Sequence, residues 1–206
     1  GELSKVEGLR RDLLANVSHD LRTPLTMIKG YSEVMRDLPG ENTPENVQII
    51  IDEAQRLTDL VNDLLDLSKL EAGVLPLEKA RFNLTESIRQ ILHRYDKLAD
   101  YRFPFHGEED VWVEADELKI SQVVYNLVNN AITYSGEDKT ITLTQQVEQG
   151  KVRISVTDTG EGIPQEKLKD IWERYYKVDK EHKRAQMGSG LGLSIVRNIL
   201  EMHGGQ

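Results

Sequence analysis

The sequence contains no cysteine at all. Disulfides, thiolate metal sites and cysteine nucleophiles are therefore excluded, although the compartment is not fixed by that alone. It also lacks any apolar run near the ~18 residues a membrane-spanning helix needs, so these 206 residues are not expected to cross a bilayer. No secretory or transit pattern opens the chain. Nor is there an excess of positive charge: 26 Lys and Arg stand against 35 Asp and Glu, for a net charge of −9. A general nucleic-acid binder would show a basic face, so no nucleic-acid partner is expected. What is present is 38% hydrophobic and 30% charged residues, enough for a packed core inside a charged surface.

Two patterns divide the chain. In residues 4–38, Leu14, Val17, Leu21, Ile28 and Met35 recur at helical steps, and Val47, Ile50, Ala54, Leu57, Val61 and Leu64 do so in residues 44–72. The turn formers from Leu38 to Pro44 separate them, with Thr43 placed to cap the second helix and Pro44 at its first position. An antiparallel hairpin is expected, and its apolar stripes call for a partner; a second copy would complete a four-helix bundle. The pattern changes near Gly73 and Pro76, which sets the expected domains at 1–74 and 75–206. In the second, helices are expected over 84–99, 116–134, 164–173 and 191–203. Strands are expected over 102–105, 111–114, 139–147 and 151–157, the last two joined by a turn at Gln149-Gly150. Segregated helices and strands predict an α+β sandwich.

Four stretches carry chemistry. In Asn16–Leu25, the phase of His19 against Val17 and Leu21 turns its imidazole away from the apolar stripe, at ~100° per residue. Asp20 is placed to orient or deprotonate that ring, and Thr23 shares its face one turn on. Pro24 removes a backbone donor beside the histidine and is expected to bend the helix. In the second stretch Asn126 and Asn130 lie four apart on one helical face, where carboxamide oxygens suit a hard cation such as Mg²⁺; without the glycine motifs that follow, an exposed or capping role would be the favoured reading. The third, Asp158-Thr-Gly-Glu-Gly162, offers an acceptor at a strand end beside two glycines, suited to the exocyclic amine of a flat base such as adenine. In the fourth, Gly188, Gly190 and Gly192 open an amphipathic helix whose first amides suit phosphate oxygens. The charged run between the third and fourth stretches, with Lys177 in it, reads as a lid whose cations meet phosphates.

Taken in series, Ser18-His-Asp-Leu-Arg-Thr-Pro24, Asn126-Leu-Val-Asn-Asn130, Asp158-Thr-Gly-Glu-Gly162 and Gly188-Ser-Gly-Leu-Gly192 resemble the catalytic core of the class I sensor histidine kinases over nearly the whole chain. The resemblance implies a dimerisation and phosphotransfer hairpin in 1–74, making a homodimer. It also implies an ATP-binding sandwich of the histidine kinase, gyrase and chaperone superfamily in 75–206. His19 is implied as phosphoacceptor, Asp20 as its activator and Thr23 as a helper in dephosphorylating the partner. Asn126 is implied as the Mg²⁺ ligand, with Asn130 beside the phosphates and Tyr134 beside the nucleotide. Asp158 is the implied adenine acceptor in a pocket shaped by Gly160 and Gly162, and Lys177, Gly188, Gly190, Leu191 and Gly192 form the lid and glycine loop. The implied cofactors are ATP and Mg²⁺. The implied partner is the receiver domain of a response regulator, and the implied location is the cytoplasmic portion of a membrane-anchored protein. A degenerate or phosphatase-biased docking module is the alternative. Thr133 stands where many members carry lysine, Asp20 replaces the commoner glutamate, and the family's closing β-hairpin is expected beyond Gln206.

Overall fold

The computed structural model describes residues 2–71, 76–107, 109–172 and 190–206. The chain divides into two compact units, Gly1–Lys69 and Leu70–Gln206. Gly73, near which the sequence pattern changes, lies outside the described residues.

The first unit is a helical hairpin. Helix α1 runs Glu2–Asp37 and α2 runs Pro44–Glu71. Helix α2 starts where the local chemistry dictates: the Thr43 hydroxyl accepts the Asn46 N–H at 3.2 Å, and the Thr43 carbonyl accepts the Val47 N–H at 3.0 Å. Pro44 occupies the first helical position, where its missing N–H costs nothing. Pro24 is accommodated inside α1. It and Leu60 are the buried side chains of this unit among the described residues. Along α2, Val47, Ile51, Val61 and Leu65 remain exposed, as do Leu25 and Met27 on α1.

The second unit is a helix-on-sheet sandwich. Strands β1 (Ala80–Asn83) and β3 (Trp112–Ala115) pair antiparallel, Ala80 opposite Ala115. Strands β2 (Phe105–His106), β4 (Thr142–Glu148) and β5 (Lys151–Thr157) form a sheet in the order β2-β4-β5. Strands β2 and β4 run parallel, and β4 and β5 antiparallel. The β4–β5 turn is Gln149-Gly150, both residues at positive φ, as the sequence predicts. Helices α3 (Leu84–His93), α4 (Glu117–Tyr134) and α5 (Gly192–Met202) complete the unit. The core joins Phe82, Leu84, Ile88, Ile91 and Leu92 to Val124, Val128, Ala131, Ile141 and Leu143. Thr85, fully buried, ties three segments together: its hydroxyl accepts the Val111 N–H at 2.9 Å and donates to Gln145 Oε1 at 3.0 Å.

Several expected elements differ. The helix predicted to reach Ala99 stops at His93. Arg94 and Tyr95 donate to the carbonyls three residues back, a tightened exit. Tyr95 packs against Phe103 and Tyr125, and its hydroxyl donates to Asn129 Oδ1 at 2.8 Å; burial pushes its phenol pKa up. That anchorage turns the chain away from the helix axis. The helix expected over 164–173 is instead two short 3₁₀ turns, Gln165–Lys167 and Asp170–Trp172. The strand expected over 102–105 is reduced to β2 plus a parallel bridge between Arg102 and Thr140. Strand β1 was not expected at all. No helix among the described residues is long and apolar enough to cross a membrane.

Candidate active site

In the first unit, α1 carries His19, Asp20 and Thr23 on consecutive turns. The His19 side chain is 78% exposed and that of Asp20 18%. Their contact, Nδ1 to Oδ1, is 3.3 Å. An ionised carboxylate only accepts, so the Nδ1 position carries the proton and Nε2 presents its lone pair to solvent. The Thr23 hydroxyl donates to the His19 carbonyl at 3.3 Å, one turn below the ring.

In the second unit, α4 positions Asn126, Asn130 and Tyr134 because Val124, Val128 and Ala131 face the core and fix its roll. Asp116 caps this helix, its Oδ1 accepting the Lys119 N–H at 3.1 Å. At the far end the Ser135 hydroxyl donates to the Ile132 carbonyl at 3.1 Å. Asn126 is the informative side chain: its Nδ2 atom is buried and has no hydrogen-bond partner among the described residues. A buried amide donor left that way calls for an acceptor. The Thr133 hydroxyl is engaged with the Asn129 carbonyl at 2.9 Å, so it supplies no substitute for the charge of a lysine.

Two loops meet at the C-terminal end of α4. A Cβ at Gly160 would run into the Tyr134 carbonyl oxygen, and one at Gly136 into that of Thr159. The segments 134–136 and 158–160 thus cross with no room for a side chain between them. Gly136 was missed in the sequence; a lone glycine after a helix reads as an ordinary stop. Asp158 is held by its own turn, Oδ1 accepting the Gly160 N–H at 2.8 Å, which fixes the carboxylate's direction. Burial raises the phenol pKa of half-exposed Tyr134, which therefore stays a neutral hydroxyl at physiological pH.

Helix α5 opens at Gly192 with no side-chain cap. A Cβ at Gly192 would lie 3.8 Å from the Asn126 carboxamide, which places the start of α5 against that residue. Gly190 (φ +69°) and fully buried Leu191 lead into it. The second unit therefore brings together Asn126 with Gly192, and Tyr134 with Gly160. Gly162 follows one turn beyond, at φ +77°. Lys177 and Gly188 lie outside the described residues. No group of three or more His, Asp or Glu stands together among the described residues. The apolar groove lined by Tyr95, Tyr101, Phe103 and Phe105 contains none of these residues.

Residues 9–73 match the His Kinase A (phospho-acceptor) domain, and residues 115–206 the histidine kinase-, DNA gyrase B-, and HSP90-like ATPase family. Sensor histidine kinase WalK of Bacillus subtilis (strain 168) is 35% identical over 212 residues, covering 99% of this chain; the chain spans 35% of that relative's length. The catalytic domain of histidine kinase ThkA is 36% identical, with a TM-score of 0.54 over 61% of this chain and 81% of that one. Histidine kinase ThkA in complex with response regulator protein TrrA is 31% identical, with a TM-score of 0.70 over all of this chain and 61% of that one.

Proposed function

This chain belongs to the class I sensor histidine kinases, and on that premise we propose that it phosphorylates His19 from ATP and passes the phosphoryl group to an aspartate of a response-regulator receiver domain. Asp158 accepts the adenine amine beside Tyr134, Gly160 and Gly162. Asn130, Gly190, Leu191 and Gly192 face the phosphates, with Lys177 and Gly188 in the lid. Asn126 is the residue that would hold Mg²⁺, through its carboxamide oxygen, and bound Mg²⁺ would neutralise phosphate charge; that carboxamide lies beside Gly192 at the start of α5.

The chemistry follows from His19. Its Nε2 lone pair forms a bond to the γ-phosphorus of ATP. The bond from phosphorus to the bridging oxygen breaks, and ADP departs with those electrons. The proton on Nδ1 passes to the Asp20 carboxylate, leaving a neutral phosphoimidazole. Backbone amides at the start of α5 stabilise charge on the phosphates without reorganising. In the reverse duty, Thr23 positions water when the regulator is dephosphorylated. The uncovered stripes of α1 and α2 support a homodimer through residues 1–74, and the whole protein is proposed to be membrane-anchored with this portion in the cytoplasm.

The observation that carries the reading is an exposed imidazole whose Nδ1 is turned to a carboxylate, leaving Nε2 outward. Intact-mass measurement after incubation with Mg-ATP, kept at neutral to alkaline pH, tests it. One phosphoryl group is expected on the wild type and none on His19→Gln, which still binds ATP. Label persisting on the variant would sink the assignment; ATP binding without label on the wild type would favour the phosphatase-biased alternative.

A further inference from the structure

The two helices that frame the phosphate side are fastened at both ends. Helices α4 and α5 pack along one another. Helix α5 begins with Gly192 against Asn126 of α4. It ends at His203, whose Nε2 accepts the backbone N–H of Asp116, the cap of α4, at 3.0 Å. The stretch from Asp116 to Asn126 advances about 15 Å and that from Gly192 to His203 about 16 Å, so one antiparallel overlap satisfies both contacts. The face of α5 between them, Ile195, Val196 and Ile199, is buried and apolar. Apolar packing is non-directional and does not by itself fix how far one helix slides along another. A directed hydrogen bond at the end does.

The tautomer is set by geometry. Nδ1 of His203 lies 2.8 Å from the Ile199 carbonyl, which only accepts, so Nδ1 carries the proton and Nε2 is the acceptor. Asp116 is itself a junction: besides capping α4, its Oδ2 accepts the Glu78 N–H at 3.1 Å, on the segment that enters this unit.

We propose that His203 is a positioning residue for nucleotide binding: by accepting the Asp116 N–H it sets the axial register of α5 on α4, and with it the placement of the amides at Gly190–Gly192 relative to Asn126. This rests on the assignment of the phosphates to that end of α5. The adenine end, held by the crossing at Gly136 and Gly160, does not depend on the register.

The test is titration of the intact chain with Mg-ATP and with adenosine. In His203→Asn the shorter amide still reaches the Ile199 carbonyl but not Asp116. In His203→Gln the amide oxygen can stand where Nε2 stood. The expected result is a loss of Mg-ATP affinity of roughly three- to tenfold in His203→Asn, the worth of one hydrogen bond, with recovery in His203→Gln and adenosine binding unchanged in both. Wild-type Mg-ATP affinity in His203→Asn, equal loss of adenosine and Mg-ATP, or no recovery with glutamine would each overturn the proposal. ¹⁵N NMR of the wild-type ring needs no variant to fold: an Nδ1–H tautomer is expected, and an Nε2–H tautomer would overturn it. Asn126→Ala in the same titration reports on the phosphate assignment separately, since unchanged Mg-ATP affinity there would move the phosphates elsewhere whatever happens at residue 203.

Discussion

In the first unit α2 leaves Val47, Ile51, Val61 and Leu65 exposed, whereas in the second Ile88, Val128, Ile141, Leu143 and Ile195 are sealed from solvent. Both are built from amphipathic segments, but only one closes on itself. The nucleotide unit has two faces of sheet and helix to bury against each other. The hairpin has one interface and two stripes wider than it can cover. In the proposed homodimer its stability would be tied to a second copy and to concentration, and that of the second unit would not. On the proposed function the division suits the chemistry: the phosphoacceptor belongs to the part with the open stripe, and the donor site to the part that closes on itself.

The contrast can be broken from either side. Ile88→Ala leaves a hole in a core that cannot collapse and should cost the second unit about 2–5 kcal/mol in chemical denaturation, at any protein concentration. Loss of the first unit's helicity in the same variant would show that the two are not independent. Ile51→Asp places a charge on the open stripe. It should weaken self-association roughly five- to a hundredfold, about 1–3 kcal/mol, in sedimentation, with the second unit's transition unmoved. An unchanged dimer would mean that this stripe is not the interface. The finest comparison removes one helix cap from each unit. Thr43→Ala and Asn83→Ala each delete a single acceptor, of the Asn46 and Glu86 N–H respectively. Each should cost about 1 kcal/mol. The loss at Asn83 should shift a concentration-independent midpoint, and the loss at Thr43 a midpoint that also moves with dilution.

The hairpin was legible because each device in it is local. Thr43 and Pro44 start α2 by their own chemistry, and the stripes are plain repeats. The proposed site residues Asn126, Asn130 and Asp158 stand out in the sequence because their spacing to glycines and to helix phase is short-range. What escaped depended on distant partners. Ala80–Asn83 is a strand only because Trp112–Ala115 lies beside it. The end of α3 is drawn off its axis by Tyr95 reaching Asn129. Gly136 matters only because Thr159 passes over it, and His203 only because Asp116 faces it. Residues 164–173 carry helical spacing, yet the chain there settles into two 3₁₀ turns, Leu168 and Trp172 remaining exposed, so no apolar face rewards a longer helix.

The crossing of segments 134–136 and 158–160 bears on inhibition. Where backbone presses on backbone, no side chain stands ready to be exchanged for another. Adding even one methyl at Gly136 or Gly160 forces two loops apart and takes the Asp158 carboxylate with them. A compound that draws its affinity from the main chain of that crossing would therefore leave the protein few substitutions with which to escape it.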